Sequence, residues 1–386
     1  MSNNKPPFMG ERVRLGDVIL PSSQRNRNGE CTRVYSVTNS NGFVPSEEYF
    51  NKEVYSKELD TYRVVNRGML AYNPSRINVG SVALQDKEDQ VVVSPLYVVF
   101  SVDERRIAPE YLLRFLKCDE GLKQIETHSV GTVRNNLKYK GLCNLRINLP
   151  SLKAQHSMVR KLRVIETLID SSQSCISMLD QLVKSQFVEM FGDPTNGVAW
   201  PYKRLDEICT IVTGNTPPRK DPSNYGDYIE WCKTDNITDA KYLTTASEML
   251  SEEGALRGRI VPAGSILMAC IAGSVKSIGK VAVADRSVAF NQQINALIPS
   301  EMIDVEYLLW ALRLSKDYLC SGVNMQLKGI LNKTSLSAKS FCVPPLALQQ
   351  QFAAFVAEVD KSRFVVQRQI EKLRTLYDSL AQEYFG

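Results

Sequence analysis

Two histidines, His128 and His156, are all that this 386-residue chain contains, and its nine cysteines include no Cys-x-x-Cys pair. A zinc site is therefore not expected, and reduced cysteines in a cytoplasmic protein are. No apolar run reaches the roughly 18 residues that a spanning helix requires. The N-terminal stretch MSNNKPPFMGERVRL has no apolar core of the kind that a secretion signal carries. Signatures of catalysis are missing as well. The chain has no Gly-Lys-Ser/Thr phosphate loop, no His-Glu-x-x-His and no Gly-x-Ser-x-Gly. A nucleobase methyltransferase needs a glycine-rich strand-turn-helix for its methyl donor and a catalytic motif beside the flipped base. The stretch Asn4 to Phe8 (NKPPF) approximates an Asn-Pro-Pro-Phe tetrad, but Lys5 intrudes and no donor loop accompanies it. No catalytic residue, cofactor, metal or small-molecule substrate is assigned. By elimination, the chain is expected to bind rather than to catalyse.

What is present is a repeat. LPSLKAQH (Leu149 to His156) aligns with VPPLALQQ (Val343 to Gln350), and QFVEMFG (Gln186 to Gly192) aligns with LAQEYFG (Leu380 to Gly386), both at an offset of 194 residues. Each copy is a proline-marked junction followed by a long stretch free of proline and glycine. A repeat of this length governs the whole reading of a chain. With 44% hydrophobic and 23% charged residues, the chain has a globular composition and room for two domains of ordinary size. A net charge of +5 is compatible with nucleic-acid binding but does not single it out.

The long stretches read as rods. In the first, Leu162, Ile165, Ile169, Ile176, Leu179 and Val183 fall at alternating steps of three and four, with Ser172 and Gln186 as polar interruptions. In the second, the corresponding stripe is Val356, Val359, Val366, Ile370, Leu373 and Leu380, interrupted by Arg363. A helix of about 35–40 residues is about 50–60 Å long, and one so long needs a partner along its seam. The two rods are expected to pair antiparallel as a two-helix coiled coil; pairing of each with another chain is the alternative.

The segments between the rods match each other too. VRLGDVI (Val13 to Ile19) parallels KRLDEIC (Lys203 to Cys209), and EYLLRFL (Glu110 to Leu116) parallels EYLLWAL (Glu306 to Leu312). Val91 to Phe100 is the strongest strand signal, with Pro95 implying an edge or a bulge. The expected order is a first unit at 1–149, a spacer helix at 150–196, a second unit at 197–343 and a second spacer helix at 344–386. The fold class is α/β, with two mixed, β-rich units on a duplicated scaffold. Loops differ far more than strands, as expected if one scaffold carries two specificities.

Those loops are polar and basic. In the first unit the candidates for DNA contact are Thr38, Asn39, Asn73, Arg76, Asn78, Arg134 and Lys138. In the second they are Thr216, Arg219, Lys220, Lys233, Asp235, Asn236, Lys276, Asn291, Gln292 and Lys328. Arginine reads guanine edges and Asn or Gln reads adenine edges by paired hydrogen bonds, whereas lysine mostly meets phosphates. Singly, each of these also suits a turn or a solvated surface.

Taken in order, these strings resemble the specificity subunit of type I restriction-modification enzymes. GNTPPRKDPSNYGDYIEWCKTDNI (Gly214 to Ile237) is similar to that family's Gly-x-Thr-Pro loop and its aromatic-rich approach to a Trp, with Asn236 a departure before Ile237. GSILMACIAGSVKSIGKVAVADRSVAFNQQINALIP (Gly264 to Pro299) resembles the family's Asn-Gln-Gln-Ile block. RGMLAYNPSRINVGSVAL and VSPLYVVF, in the first unit, resemble a different class of target recognition domain, and the two junctions look like Pro-Leu-x-x-Gln starts of the spacer helices. The resemblance covers essentially the whole chain. It implies two target recognition domains, each reading one half of a split, asymmetric site in double-stranded DNA. The antiparallel coiled coil would space the halves by a few unread base pairs, and a rod of about 50–60 Å is longer than one turn of B-DNA, about 35 Å. Two modification subunits would supply the adenine methyltransferase, and restriction subunits would join the assembled complex. A specificity subunit from a related system outside type I, and a coiled-coil scaffold that never touches DNA, are the alternatives.

Overall fold

A computed structural model describes residues 10–27, 29–49, 59–130, 136–196, 200–274, 276–323 and 329–386. Asn4 to Phe8, Arg134 and Lys328 lie outside the described residues. The chain divides into two compact units, Met1–Gln173 with Arg368–Gly386, and Ser174–Gln367.

Both units are built on one frame. In the first, Glu11–Arg14 pairs antiparallel with Arg146–Leu149, the strand that leads into the rod. In the second, Tyr202–Arg204 pairs in the same way with Ser340–Cys342. A four-stranded antiparallel sheet follows. Its order in the first unit is Ile19–Ser22, Val98–Val102, Leu70–Tyr72, Val82–Leu84. Its order in the second is Cys209–Thr213, Ile294–Pro299, Ile266–Ala269, Val281–Val283. Chain order and pairing order agree, so the duplication extends to topology. The apolar run Val91 to Phe100 splits into Gln90–Val93 and Val98–Val102, which join different sheets. Pro95 sits in the turn between them, closed by the Tyr97 N–H on the Ser94 carbonyl at 3.0 Å, because proline cannot donate to a ladder.

Each frame also carries one helix on its core. Pro109–Lys117 starts on a proline, where a missing N–H costs nothing. Val305–Leu314 starts on Asp304, whose carboxylate accepts from the Glu306 N–H (2.8 Å) and the Tyr307 N–H (3.3 Å). The matched tyrosines do the same work. The Tyr111 hydroxyl donates to the Asn148 carbonyl at 2.9 Å, and the Tyr307 hydroxyl to the Cys342 carbonyl at 2.8 Å. Each thereby ties the helix to the strand that enters the rod.

The rods are helices of 40 residues each, Leu152–Phe191 and Leu346–Phe385. In the first unit, Met158, Val159 and Leu162 share a core with Ala381, Tyr384 and Phe385, and further along Glu166 reaches Tyr377. In the second unit, Phe187 and Phe191 pack edge-on to Phe352 at 5.3 and 5.6 Å, and further along Asp180 pairs with Arg363 at 2.6 Å. In both units the rod segments therefore run in opposite directions. Of the seam residues, Leu162, Ile165, Val183, Val356, Val359 and Ile370 are buried, while Ile169, Ile176, Leu179, Val366, Leu373 and Leu380 are half-buried. Arg363 interrupts the stripe without leaving its charge unpaired, because Asp180 and Asp360 both meet it.

The Pro-Leu-x-x-Gln junction has a physical explanation. Gln155 and Gln349 occupy equivalent positions, and both are fully buried. Gln155 accepts from the Ala108 N–H at 2.8 Å and donates to the carbonyls of Pro150 (2.8 Å) and Arg106 (2.9 Å). Gln349 accepts from the Asp304 N–H at 2.7 Å and donates to those of Pro344 (2.7 Å) and Met302 (3.3 Å). Only a side chain with an acceptor and two donors can satisfy three such backbone groups at once. Each glutamine thus locks the start of its rod to the start of its unit's core helix.

Candidate nucleic-acid interface

Outside the shared frame the two units diverge. The first adds two-stranded ladders, Tyr35–Val37 with Phe43–Pro45 and Arg63–Asn66 with Gln90–Val93. The second adds a four-stranded sheet in which Tyr225–Cys232 pairs in parallel with Val288–Phe290. Thr38 and Asn39 lie in the turn of the first ladder, and Lys233 directly follows the added strand Tyr225–Cys232, whereas Asn73, Arg76 and Asn78 lie between the frame strands Leu70–Tyr72 and Val82–Leu84, and Lys276 between the frame strands Ile266–Ala269 and Val281–Val283.

In the first unit, Thr38 is buried, donating to the Gly42 carbonyl (3.2 Å) and accepting from the Asn41 N–H (3.0 Å), so it shapes a turn. Asn39 is exposed at the tip of that turn, and its carbonyl receives Lys117 Nζ at 3.3 Å. Asn73 folds back on the Ser75 N–H at 3.0 Å, an Asx turn. Arg76, Asn78 and Lys138 are exposed. Ser81, Tyr72 and Leu137 brace this edge from within: the Ser81 hydroxyl donates to the Val37 carbonyl and the Tyr72 hydroxyl to the Leu137 carbonyl.

In the second unit, the Gly-x-Thr-Pro loop is pinned from every side. A Cβ on Gly214 would stand 2.2 Å from the Asn291 carbonyl oxygen and 2.5 Å from that of Phe290, so only glycine fits there. The Asn215 amide bridges the Arg257 carbonyl and the Arg259 N–H at 2.7 and 2.8 Å. Thr216 hydrogen-bonds the Gln292 side chain. The Trp231 indole N–H reaches the Asn215 carbonyl at 3.2 Å, and the Tyr225 hydroxyl reaches that of Pro217 at 2.8 Å. Lys220, Asp235 and Lys276 are exposed. Asn236 and Asn291 are buried, and their amides serve neighbouring turns. Asn236 accepts from the Lys233 N–H and donates toward Thr244 and Thr245, whereas Asn291 accepts from the Gln293 N–H.

Three charges gather over Trp231. Arg219 and Lys233 both pair with Glu248, the former at 2.9 Å. Hydrogen bonding from Lys233, followed by that from Arg219, outweighs desolvation and holds the Glu248 carboxyl below the ordinary range. Trp231 belongs to the aromatic-rich stretch that the sequence already marks, whereas Glu248, 29 residues beyond Arg219, is a neighbour that the sequence pattern does not single out. A second carboxylate, Glu230, is framed by Arg286 Nε and NH2, both at 2.7 Å, and is likewise held low.

Among the described residues, no group of three or more His, Cys, Asp or Glu is placed to hold a metal ion, and no helix is long and apolar enough to cross a membrane.

A family model described as the type I restriction modification DNA specificity domain matches the chain twice, over residues 11–178 and 197–374. The chain is similar to the type I restriction enzyme HindI specificity subunit of Haemophilus influenzae, with 20% identity over 379 residues, 78% of this chain and 81% of that protein. Among solved structures it resembles a chain from work on complex assembly and conformational transition of the type I R-M system, with a TM-score of 0.64, 18% identity and 99% of each chain covered. It also resembles the type I restriction-modification S subunit from M. genitalium, with a TM-score of 0.54, 13% identity, and 100% and 98% of the two chains covered.

Proposed function

Because the chain belongs to the type I restriction-modification DNA specificity family, we propose that it is the non-catalytic subunit that reads double-stranded DNA for a type I restriction-modification complex. The observation that carries this reading is the contrast within each unit. The frames agree strand for strand, whereas the added sheets and loops differ in strand number and direction. A scaffold held constant while its exposed polar loops change is what two readers of different base sequences require. The target is therefore bipartite and asymmetric, with 1–149 and 197–343 as its two recognition domains and the helices in 150–196 and 344–386 as the spacer between them.

Contact falls to exposed groups: Asn39, Arg76, Asn78 and Lys138 on the first unit, and Arg219, Lys220, Asp235 and Lys276 on the second. Thr38, Asn236 and Asn291 support these loops from beneath. The rods keep apolar side chains in solvent, among them Met178 (70% exposed), Val365 (65%), Leu182 (47%) and Leu376 (47%). These outer faces suit two modification subunits, which bring the methyl donor and flip the adenine, and restriction subunits complete the assembly. The complex works in the cytoplasm, beside the chromosome it marks.

Single-molecule methylation mapping of host DNA, with and without this gene, tests the proposal. The expected result is one bipartite adenine-methylated motif that disappears on deletion. A methylation pattern that stays the same with the modification subunits expressed would refute it.

A further inference from the structure

Arg219 rests against two aromatic rings and a carboxylate; Lys233 shares one of those rings, with its Nζ 5.4 Å from the centre of Trp231, and the carboxylate, Glu248. The Arg219 guanidinium carbon lies 5.2 Å from the centre of the Trp231 ring and 5.5 Å from that of Tyr225. Those rings stand edge to face, 6.2 Å apart at 77°, and each is anchored through its polar atom to the backbone of the Gly-x-Thr-Pro loop. Trp231 is 2% exposed, so the platform is part of the fold and not of the surface. Glu248 takes one hydrogen bond from the NH2 nitrogen, and its other oxygen is occupied by Lys233. Among the described residues, NH1 and Nε of Arg219 meet no acceptor, and the side chain remains 57% exposed.

A guanidinium is a planar fork of donors, and its match on duplex DNA is the O6/N7 edge of guanine in the major groove. An arginine at the surface normally loses rotamer freedom when it binds. One already fixed between two rings and a carboxylate has lost most of it beforehand. Lys233, by contrast, is a point charge, 28% exposed and committed to Glu248. The local charge is also moderate, since the single carboxylate cancels one of the two cations, which favours choice among bases over indiscriminate attraction to phosphate.

We infer that Arg219 is a specificity-determining residue of the second unit, reading a guanine edge in one half of the target, and that Trp231, Tyr225 and Glu248 position its guanidinium for that contact. This rests on the proposed DNA-reading function. It assigns one base of the target to one side chain, and it makes Glu248 a positioning residue.

The test is selection from randomised duplexes by the chain assembled with its modification subunits, followed by sequencing of the retained DNA. The wild-type complex is expected to enrich a bipartite motif with a guanine in the half read by the second unit. Arg219→Lys and Arg219→Ala are each expected to relax that one position by on the order of tenfold or more, with every base of the other half still enriched. Glu248→Gln keeps an acceptor but not the charge, and is expected to keep the guanine preference at reduced strength. Retention of the other half shows that each variant is folded and assembled. If the wild type enriches no bipartite motif, the DNA-reading function itself fails. If the wild-type motif is present and the Arg219 variants leave it unchanged, or weaken all positions equally as loss of a phosphate contact would, the function stands and this inference is overturned.

Discussion

Replacing Gln349 with leucine tests the explanation given for the rod junction. The side chain is fully buried and satisfies the Asp304 N–H and the Pro344 carbonyl at 2.7 Å each, with a longer bond of 3.3 Å to the Met302 carbonyl. Leucine fills similar space but leaves the first two groups unpaired away from water. Each costs about 1–3 kcal/mol, so the loss is about 2–6 kcal/mol, with the weak third bond discounted. For a unit of this size, about 1 kcal/mol moves Tm by about 2–4 °C, which predicts a fall of roughly 4–24 °C in the unfolding of the unit that contains Ser174–Gln367. Gln350→Leu is the control, because Gln350 is exposed one residue away and such changes stay within about 0.5 kcal/mol. Gln155→Leu should reproduce the effect in the other unit, where three bonds of 2.8 to 2.9 Å are lost. Scanning calorimetry on the full chain reads both transitions. A Gln349→Leu shift no larger than that of Gln350→Leu would refute the lock.

Three further outcomes follow from named contacts. Leu162→Ala, at a residue with no exposed surface, should lower stability by about 2–5 kcal/mol, whereas Met178→Ala on the solvent side should change it by less than about 0.5 kcal/mol in the same urea titration. Glu230→Gln should cost about 1.5–3 kcal/mol at neutral pH, from the charged hydrogen bonds to Arg286. The folded carboxyl is held low, chiefly by Arg286, so its contribution is present above the unfolded value, near 4, and is lost as pH falls through the folded one; the difference between wild type and variant must close in acid and stay open at pH 7. Lys241→Met removes the cation between Glu306 (2.5 Å) and Asp360 (3.0 Å) and should destabilise by about 3 kcal/mol, with partial recovery when Glu306→Gln is added; equal melting of the single and double variants would contradict the ion network.

The rods and junctions were readable in the sequence because periodicity and backbone chemistry constrain them. A stripe at steps of three and four can only be a helix seam, and the residues on it coincide with buried or half-buried positions from Leu162 to Val183 and from Val356 to Leu380. Phe187, Phe191 and Phe352 escape that pattern because they face their unit's core, where Phe187 stacks on Tyr307 at 5.3 Å. Loop chemistry is harder to read, because one residue type serves two purposes. Asn236 and Asn291 have the side chain that reads adenine, and the structure uses it to satisfy turns instead. The platform under Arg219 is legible only in part, since Tyr225 and Trp231 follow it closely and share one strand, whereas Glu248 comes from the segment before Met249–Leu250 and joins them only when the sheet forms.

The junction also shows what limits divergence between duplicated units. Glu166 and Asp360 occupy the same position, 194 residues apart, on the two rods. In the first unit the answering cation comes from the frame, since Arg114 gives its two terminal nitrogens to Glu166 at 2.5 and 2.7 Å and a further bond to the Tyr377 hydroxyl. Burial opposes the charge on Arg114, but Glu166 outweighs it and keeps the guanidinium above its ordinary value. In the second unit Trp310 stands where Arg114 does and offers only an indole N–H, which it gives to Glu306 at 3.2 Å. Asp360 is answered instead by Arg363 of its own rod and by Lys241, which comes from a loop outside the frame. The charge at the junction is thus held in place while its source moves from the core helix to a loop. A loop that takes on this task cannot vary freely, because losing Lys241 would leave Glu306, 9% exposed, without its cation. Exchange of whole units, with their frame, loops and rod segments together, keeps each carboxylate with its partner, whereas exchange of the second unit's loops alone strands a charge. Duplication followed by unit-by-unit replacement is therefore the physically cheap route to a new specificity in this chain.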